Sequence, residues 1–351
     1  MERPILNPML ADPEAPSSPR EGNWKWMVAK AWLRNAGRML WRILSYNPLK
    51  NAALRVKIED GSFWQRAIRG AMYRMTFVPL LAAMSAVALV YSATHPPVVP
   101  TTMDPSASQI YYDPVTLLGE DGARLEGWLV PVIDAKQVLT QKEQSLRTRR
   151  PAVVLLHDHG RNRQQMLPLV QPLHEAGFVV LAMTLRGRGT SDARGATYGI
   201  REAGDVKAAI EMLRRRPYVD GTKIALVGIG TGANAAIIAA SRDQNIAAVA
   251  AINPVESVDQ LLVESLGPKQ AWLRFMNPLC RWAFELAYQA DLEDLSLKRH
   301  ERLFETRPVM IEREGNVTEL GLRHAEKITF FLDDELYNGG PSKVVSTPRG
   351  D

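Results

Sequence analysis

Cys280 is the only cysteine in the 351-residue chain, so no internal disulfide can staple it. A cytoplasmic and a periplasmic home are equally compatible with that absence. Charge is missing over a long stretch, because residues 75–103 hold no Asp, Glu, Lys or Arg. The folded part also lacks a basic excess. The net charge is +5, yet residues 1–99 carry 13 Lys/Arg against 6 Asp/Glu, leaving 30 against 32 for residues 100–351. Binders of nucleic acid spread cations over a folded face, so this balance argues against that class. A basic N-terminus points instead to anionic lipid. Apolar residues make up 46% and charged residues 23%, values of a folded chain.

What is present begins with a hydrophobic run. Met75–Ala93 is an almost unbroken apolar run of 19 residues. About 20 helical residues at 1.5 Å each cross a hydrocarbon core of about 30 Å, so residues 75–93 are expected to form a single transmembrane helix. Pro79 sits near its start, where lost helix hydrogen bonds cost least. Lys50, Arg55, Lys57, Arg66, Arg69 and Arg74 precede the run, and the next basic residue after it is Arg124. The positive-inside bias then predicts a signal anchor with a cytoplasmic N-terminus and an extracytoplasmic C-terminal domain, periplasmic or extracellular.

Upstream, residues 23–48 read as a basic amphipathic helix. Lys30, Arg34, Arg38 and Arg42 repeat every four residues opposite Val28, Trp32, Leu33, Met39, Leu40 and Ile43. Five of the eight tryptophans lie in residues 24–64, which suits a membrane interface. Residues 1–22 are rich in Pro and Ser and are expected to be disordered, and 49–74 form a juxtamembrane segment.

Beyond a spacer at 94–107, short apolar runs alternate with amphipathic stretches. Strands are expected at Gln109–Thr116, Leu125–Val132, Ala152–His157, Val179–Met183, Ile224–Val227, Ala248–Ile252, Pro308–Ile311 and Lys343–Ser346. Helices are expected at Arg163–Ala176, Arg201–Arg215, Ala233–Ser241 and Glu319–Glu335. This alternation predicts an α/β domain over 108–351 with a doubly wound, mostly parallel sheet. The Gly119–Gly122 turn would open it with an antiparallel hairpin.

Three segments carry a resemblance. VVLLHDHGRNRQQM (Val153–Met166) is similar to the third strand and oxyanion loop of α/β hydrolases, and LRGRGTSD (Leu185–Asp192) to the turn after their fourth strand. Asp205–Ala236 resembles their next helix, fifth strand and nucleophile elbow. The likeness is to the serine esterase and peptidase-like branch. It implies that Val255–Arg307, with Trp272, Phe275, Trp282 and Phe284, is a helical insertion roofing a pocket or meeting a partner.

The resemblance also shows what is not there. The elbow reads Gly228-Ile229-Gly230-Thr231-Gly232, with the turn glycines Gly228 and Gly232 kept and Gly230 where a serine would stand. A glycine has no side chain to acylate. The side chain of Thr231 would point away, since that position contributes its backbone N–H. The acid position falls on Asn316, with Gly315 as alternative, and Glu312 or Glu314 would serve if the turn were rebuilt. Asp351 falls where the histidine would be, and no histidine follows His324.

His157, Asp158 and His159 occupy the oxyanion-like loop, where relatives carry His-Gly. No third ligand joins them, so no metal and no cofactor are expected. Arg186 and Arg188 would shape the pocket edge, Arg214–Arg216 would be a solvated helix end, and His300 and His324 would be surface residues.

The leading expectation is a membrane-anchored, catalytically inactive hydrolase-fold protein that binds a small-molecule or protein ligand at the cell envelope. Its rivals are a working ester or amide hydrolase with a rearranged site, using Glu312 or Glu314 with His157 or His159, and a structural anchor or scaffold.

Overall fold

The computed structural model describes residues 63–132, 148–189, 191–192, 195–255, 276–313, 321–338 and 345–346. The expectations for 1–62, and for Trp272, Phe275, Glu314, Gly315, Asn316 and Asp351, lie outside them. The chain divides into two compact units, Met1–Met72 and Tyr73–Asp351.

The second unit holds an eight-stranded sheet. Its strands are β1 (Asp113–Leu118), β2 (Arg124–Val130), β3 (Arg150–Leu156), β4 (Val179–Thr184), β5 (Val219–Ile229), β6 (Ile246–Ile252), β7 (Val309–Glu312) and β8 (Val345–Ser346). Their spatial order is β1-β2-β4-β3-β5-β6-β7-β8. The β1–β2 and β2–β4 pairs are antiparallel and all others parallel. This is the expected α/β-hydrolase-like sheet, with β5 longer at its start than its apolar core alone suggests.

The central strands are apolar throughout because helices cover both faces. Alternation sorts the side chains: Val154 and Leu156 join one core, Val153 and Leu155 the other. The first core receives helix α3 (Glu202–Arg214) through Val206, Ile210 and Leu213, and helix α4 (Thr231–Arg242) through Ala236 and Ile237. The second receives α2 (Leu167–Glu175) through Leu169 and Leu173, and α7 (Leu322–Asp333) through Ile328 and Leu332. Helices α5 (Asn277–Tyr288) and α6 (Glu301–Thr306) lie between β6 and β7.

The apolar run belongs to helix α1, Phe63–Thr94, longer than 75–93 at its start. By length and composition, Gly70–Thr94 suffices to cross a membrane. Residues 71–80 are exposed on every side, but Ala86, Val90 and Thr94 are buried and recur every four residues. One face of the last turns is therefore packed on the domain, with Ala86 and Val90 in the first core. The segment that follows, 94–107, runs along the domain. The Asn162 side chain donates to the Val99 carbonyl at 2.9 Å, the Gln164 side chain accepts from Thr102 N–H at 2.8 Å, and Pro105–Ser108 forms a 3₁₀ turn. Those hydrogen bonds give the backbone of a proline-rich stretch partners it cannot find within itself.

Candidate functional site

The order of the sheet decides where the site lies. Strand β3 leads outward to β4, whereas β5 lies on its other side, so the carboxyl ends of β3 and β5 diverge into a crevice. The register pairs Leu156 with Gly228, which brings the segments after both strands side by side. Asp158 and Gly230 are each two residues further on. They meet.

Gly230 has φ 52° and ψ −113°, a conformation that L side chains rarely adopt, and α4 starts at the next residue. Its N–H donates to the Ile252 carbonyl at 2.8 Å, holding the turn against β6. A β-carbon on Gly228 would overlap the Gly232 backbone, and one on Gly232 would overlap the Leu156 carbonyl. Both glycines are therefore required by the closeness of helix and strands. A β-carbon on Gly230 would instead overlap the carboxylate of Asp158.

Asp158 occupies the place a side chain at 230 would take. Its Oδ1 accepts from the Thr231 N–H at 3.0 Å and from the His159 N–H at 2.6 Å. One N–H comes from the first residue of α4 and the other from the loop after β3. Two backbone donors aimed at one oxygen suit a negative charge, and the start of α4 adds a favourable dipole. The Asp158 N–H in turn donates to the Gln165 side chain at 2.8 Å, which ties the loop to its own next turn.

Neither histidine of the loop is free to act as a base. His157 is fully buried, and its Nε2 accepts from the Leu185 N–H at 3.0 Å. Its proton is then on Nδ1, which donates to the Asp158 carbonyl at 2.8 Å. Burial pulls its pKa down to about 3. The Nδ1 of His159 accepts from Arg188 Nη2 at 3.1 Å, and its ring also bonds the Ala93 carbonyl. The ring stacks on Tyr198 with centroids 4.7 Å apart. Burial first, then the Arg188 charge, lowers its pKa to about 4. Both rings are neutral at pH 7.

Tyr198 and Ala93 went unnoticed in the sequence. The Tyr198 hydroxyl donates to the Ala93 carbonyl at 3.1 Å, so the end of α1 accepts from both residues of the stacked pair. Tyr198 lies on a turn, and only the adjoining Gly199 hinted at one.

The other candidate residues lie elsewhere. Arg186 is buried and pairs with Asp205 at 2.5 Å and Asp121 at 2.9 Å, joining the β4 turn to α3 and the hairpin. Burial opposes its charge, but Asp205 outweighs this and holds the guanidinium above its ordinary range. Glu312 ends β7, is 4% exposed, and accepts from Lys327 Nζ at 2.6 Å. Arg214 pairs with Asp243 at 3.1 Å while Arg215 faces solvent.

His300 was expected on the surface and is corrected. It is buried, with Nε2 bonded to the Asp294 carbonyl at 2.8 Å, because the polar stretch around it folds into two 3₁₀ turns that enclose the ring. His324 is half-buried rather than fully exposed. Of the insertion's aromatics, Phe284 points into the core and Trp282 into solvent. Among the described residues no group of three or more His, Cys, Asp or Glu could hold a metal ion.

Comparison with known proteins finds a matching family and several similar chains. The family model described as Serine aminopeptidase, S33 matches residues 147–342, more than half of the chain. The uncharacterized protein YfhR of Salmonella typhimurium is 28% identical over 120 residues, which is 34% of this chain and 37% of that protein. The uncharacterized protein Rv2307c of Mycobacterium tuberculosis is 30% identical over 118 residues, again 34% of this chain and 37% of that protein. The match thus spans little more than a third of these relatives' length. Among solved structures, the esterase Pf2001 of Pyrococcus furiosus is 18% identical at a TM-score of 0.48, covering 72% of this chain and 88% of that one. A thermophilic esterase of Thermogutta terrifontis, Est2, is 18% identical at a TM-score of 0.41, covering 68% and 82%.

Proposed function

Because this chain belongs to the serine aminopeptidase S33 family, a branch of the α/β hydrolases, we propose that it is a member that has abandoned covalent catalysis and acts by binding. One observation carries the reading: the Asp158 carboxylate takes the space of a nucleophile at Gly230 and occupies the two N–H donors beside it. An acyl oxyanion would need those same donors. Asn316 and Asp351 are the proposed remnants of the acid and the histidine. The ligand is a small molecule or a protein segment at the cell envelope, not nucleic acid.

The anchor is α1, spanning the bilayer over 75–93 with the basic N-terminus cytoplasmic and residues 23–48 lying on anionic lipid. Support comes from the length of α1, the absence of charge over 75–93 and the basic flank before it. A reporter active only outside the cytoplasm, fused to the C-terminus, should give signal. A C-terminus reachable only from the cytoplasm would reverse this topology.

A second reading, a working hydrolase of ester or amide bonds built on Glu312, has one observation in its favour. Glu312 Oε2 is buried at a carboxyl end of the sheet and has no hydrogen-bond partner among the described residues. The full chain, purified in detergent, distinguishes the two. It should neither hydrolyse activated esters and aminoacyl amides nor react with a serine-directed phosphonate. Turnover abolished by Glu312→Gln or His159→Asn would establish the second reading instead.

A further inference from the structure

We infer that helix α5 lies on the membrane, its outer face immersed in lipid beside the anchor. This rests on the reading of α1 as a membrane span and extends it to the folded domain.

The first observation is on α5 itself. Pro278, Leu279, Trp282 and Leu286 are exposed and fall within one arc of the helix, with Trp282 57% and Leu286 65% exposed. The opposite face, Cys280, Ala283 and Phe284, is buried in the first core. The charges flanking it are engaged with one another, since Arg281 pairs with Glu285 at 3.1 Å and Glu293 at 2.8 Å. A helix apolar on both faces, with a tryptophan on the outer one, suits a lipid–water boundary.

The second observation fixes where that face is. The Tyr288 hydroxyl, in the last turn of α5, donates to Thr94 Oγ1 at 2.7 Å. Thr94 is the last residue of α1. The C-terminal end of α5 thus lies beside the point where the anchor leaves the bilayer.

The third is a matter of length. The charge-free run starts at Met75, and about 20 residues are needed to cross a hydrocarbon core, which ends the crossing near Thr94. The fully exposed turns, residues 71–80, cover only about 15 Å at 1.5 Å per residue. The crossing must therefore include the turns whose inner face, Ala86 and Val90, is covered by the domain, while Met84, Val87 and Tyr91 stay uncovered. Ala86 is eight residues before Thr94, so the domain follows α1 about 12 Å into the outer leaflet, and the outer face of α5 is exposed apolar surface on the helix whose end touches α1. A lipid bilayer is its partner.

The test uses the full chain in vesicles of phosphatidylcholine and phosphatidylglycerol, in a Cys280→Ala background. Nitroxide labels are placed at Leu286→Cys and, as a second site, Leu279→Cys. Leu80→Cys reports the anchor and Arg215→Cys an aqueous helix end. At Leu286 and Leu279 the label should be relaxed by oxygen and shielded from a water-soluble nickel chelate, matching Leu80 and opposite to Arg215. Aqueous readings at Leu286 and Leu279, with Leu80 in lipid, overturn the inference and leave the anchor standing. An aqueous reading at Leu80 overturns both. Spin–spin broadening at Leu286 that vanishes on dilution with unlabelled protein assigns the face to a second copy of the chain and overturns the inference too.

Discussion

The carboxylate of Asp158 stands where a β-carbon on Gly230 would be, so the two positions are mutually exclusive for side chains. Gly230→Ser therefore meets two costs. A backbone held at this sparsely populated positive φ costs a non-glycine residue about 1–3 kcal/mol, and the Asp158 carboxylate must also leave its two N–H donors. Thermal unfolding should show Gly230→Ser clearly less stable than the parent. Adding Asp158→Gly should return part of the loss, giving non-additivity of about 0.5–3 kcal/mol, as expected of residues in contact. Equal losses that simply add would mean the two sites do not compete. Neither variant should gain esterase activity, because a hydroxyl without a base is a poor nucleophile.

Emptying the pocket should create an anion site. Asp158→Gly removes the charge that the Thr231 and His159 N–H groups now hold. Losing charge-assisted hydrogen bonds of this kind costs about 1–3 kcal/mol. Millimolar acetate or an alkyl phosphonate should then raise the melting temperature of this variant and leave that of the parent unchanged. No stabilisation by either anion would show that the two donors do not form a working anion hole once vacated.

His157 and His159 make stability sensitive to acid. Burial holds their pKa values at about 3 and about 4, below the ordinary value of 6.5. A base depressed in the folded state binds its proton more readily when unfolded. Its stabilising contribution is therefore complete above pH 6.5 and is lost as pH falls toward the folded value. Each ring contributes a slope of about 1.4 kcal/mol per pH unit in that window. Denaturant midpoints should drop from pH 6.5 to pH 4, and His159→Asn should flatten the slope by the share of one ring. An unchanged slope would mean that His159 is accessible to protons in the folded chain.

The docked end of α1 can be tested by overpacking. Ala86 is 1% exposed against the domain, and a larger side chain in a filled core costs about 1–3 kcal/mol. Ala86→Phe should loosen the last turns of α1 and the segment after it. Thermolysin should then cut near Val98 and Val99 faster than in the parent. Met84→Phe, on the exposed face, should leave cleavage unchanged. Equal cleavage of all three proteins would argue that α1 is not held by this contact.

Much of the fold was legible in the chain because its signals are local. Apolar runs such as Ala152–His157 and Ala248–Ile252 can be buried on both faces only in a covered parallel sheet, and they mark β3 and β6 within two residues. Gly228, Gly230 and Gly232 announce a tight strand-to-helix turn, and the missing serine is a fact of the sequence. The length and neutrality of residues 75–93 are likewise properties of the sequence that suggest a span. His300 misled because a polar neighbourhood in sequence says little about burial when short 3₁₀ turns wrap it.

Only the tertiary structure decided what replaces the missing side chain. Asp158 and Gly230 are 72 residues apart, and they meet because β3 and β5 pair in parallel with Leu156 opposite Gly228. Nothing local encodes that register; it follows from packing the whole sheet between its two helical layers. The same holds for Ala86, Val90 and Thr94, whose four-residue spacing is hidden in a run that is apolar on every face. A uniformly apolar helix has no stripe to read, so which face meets the domain is settled only by the surface it finds.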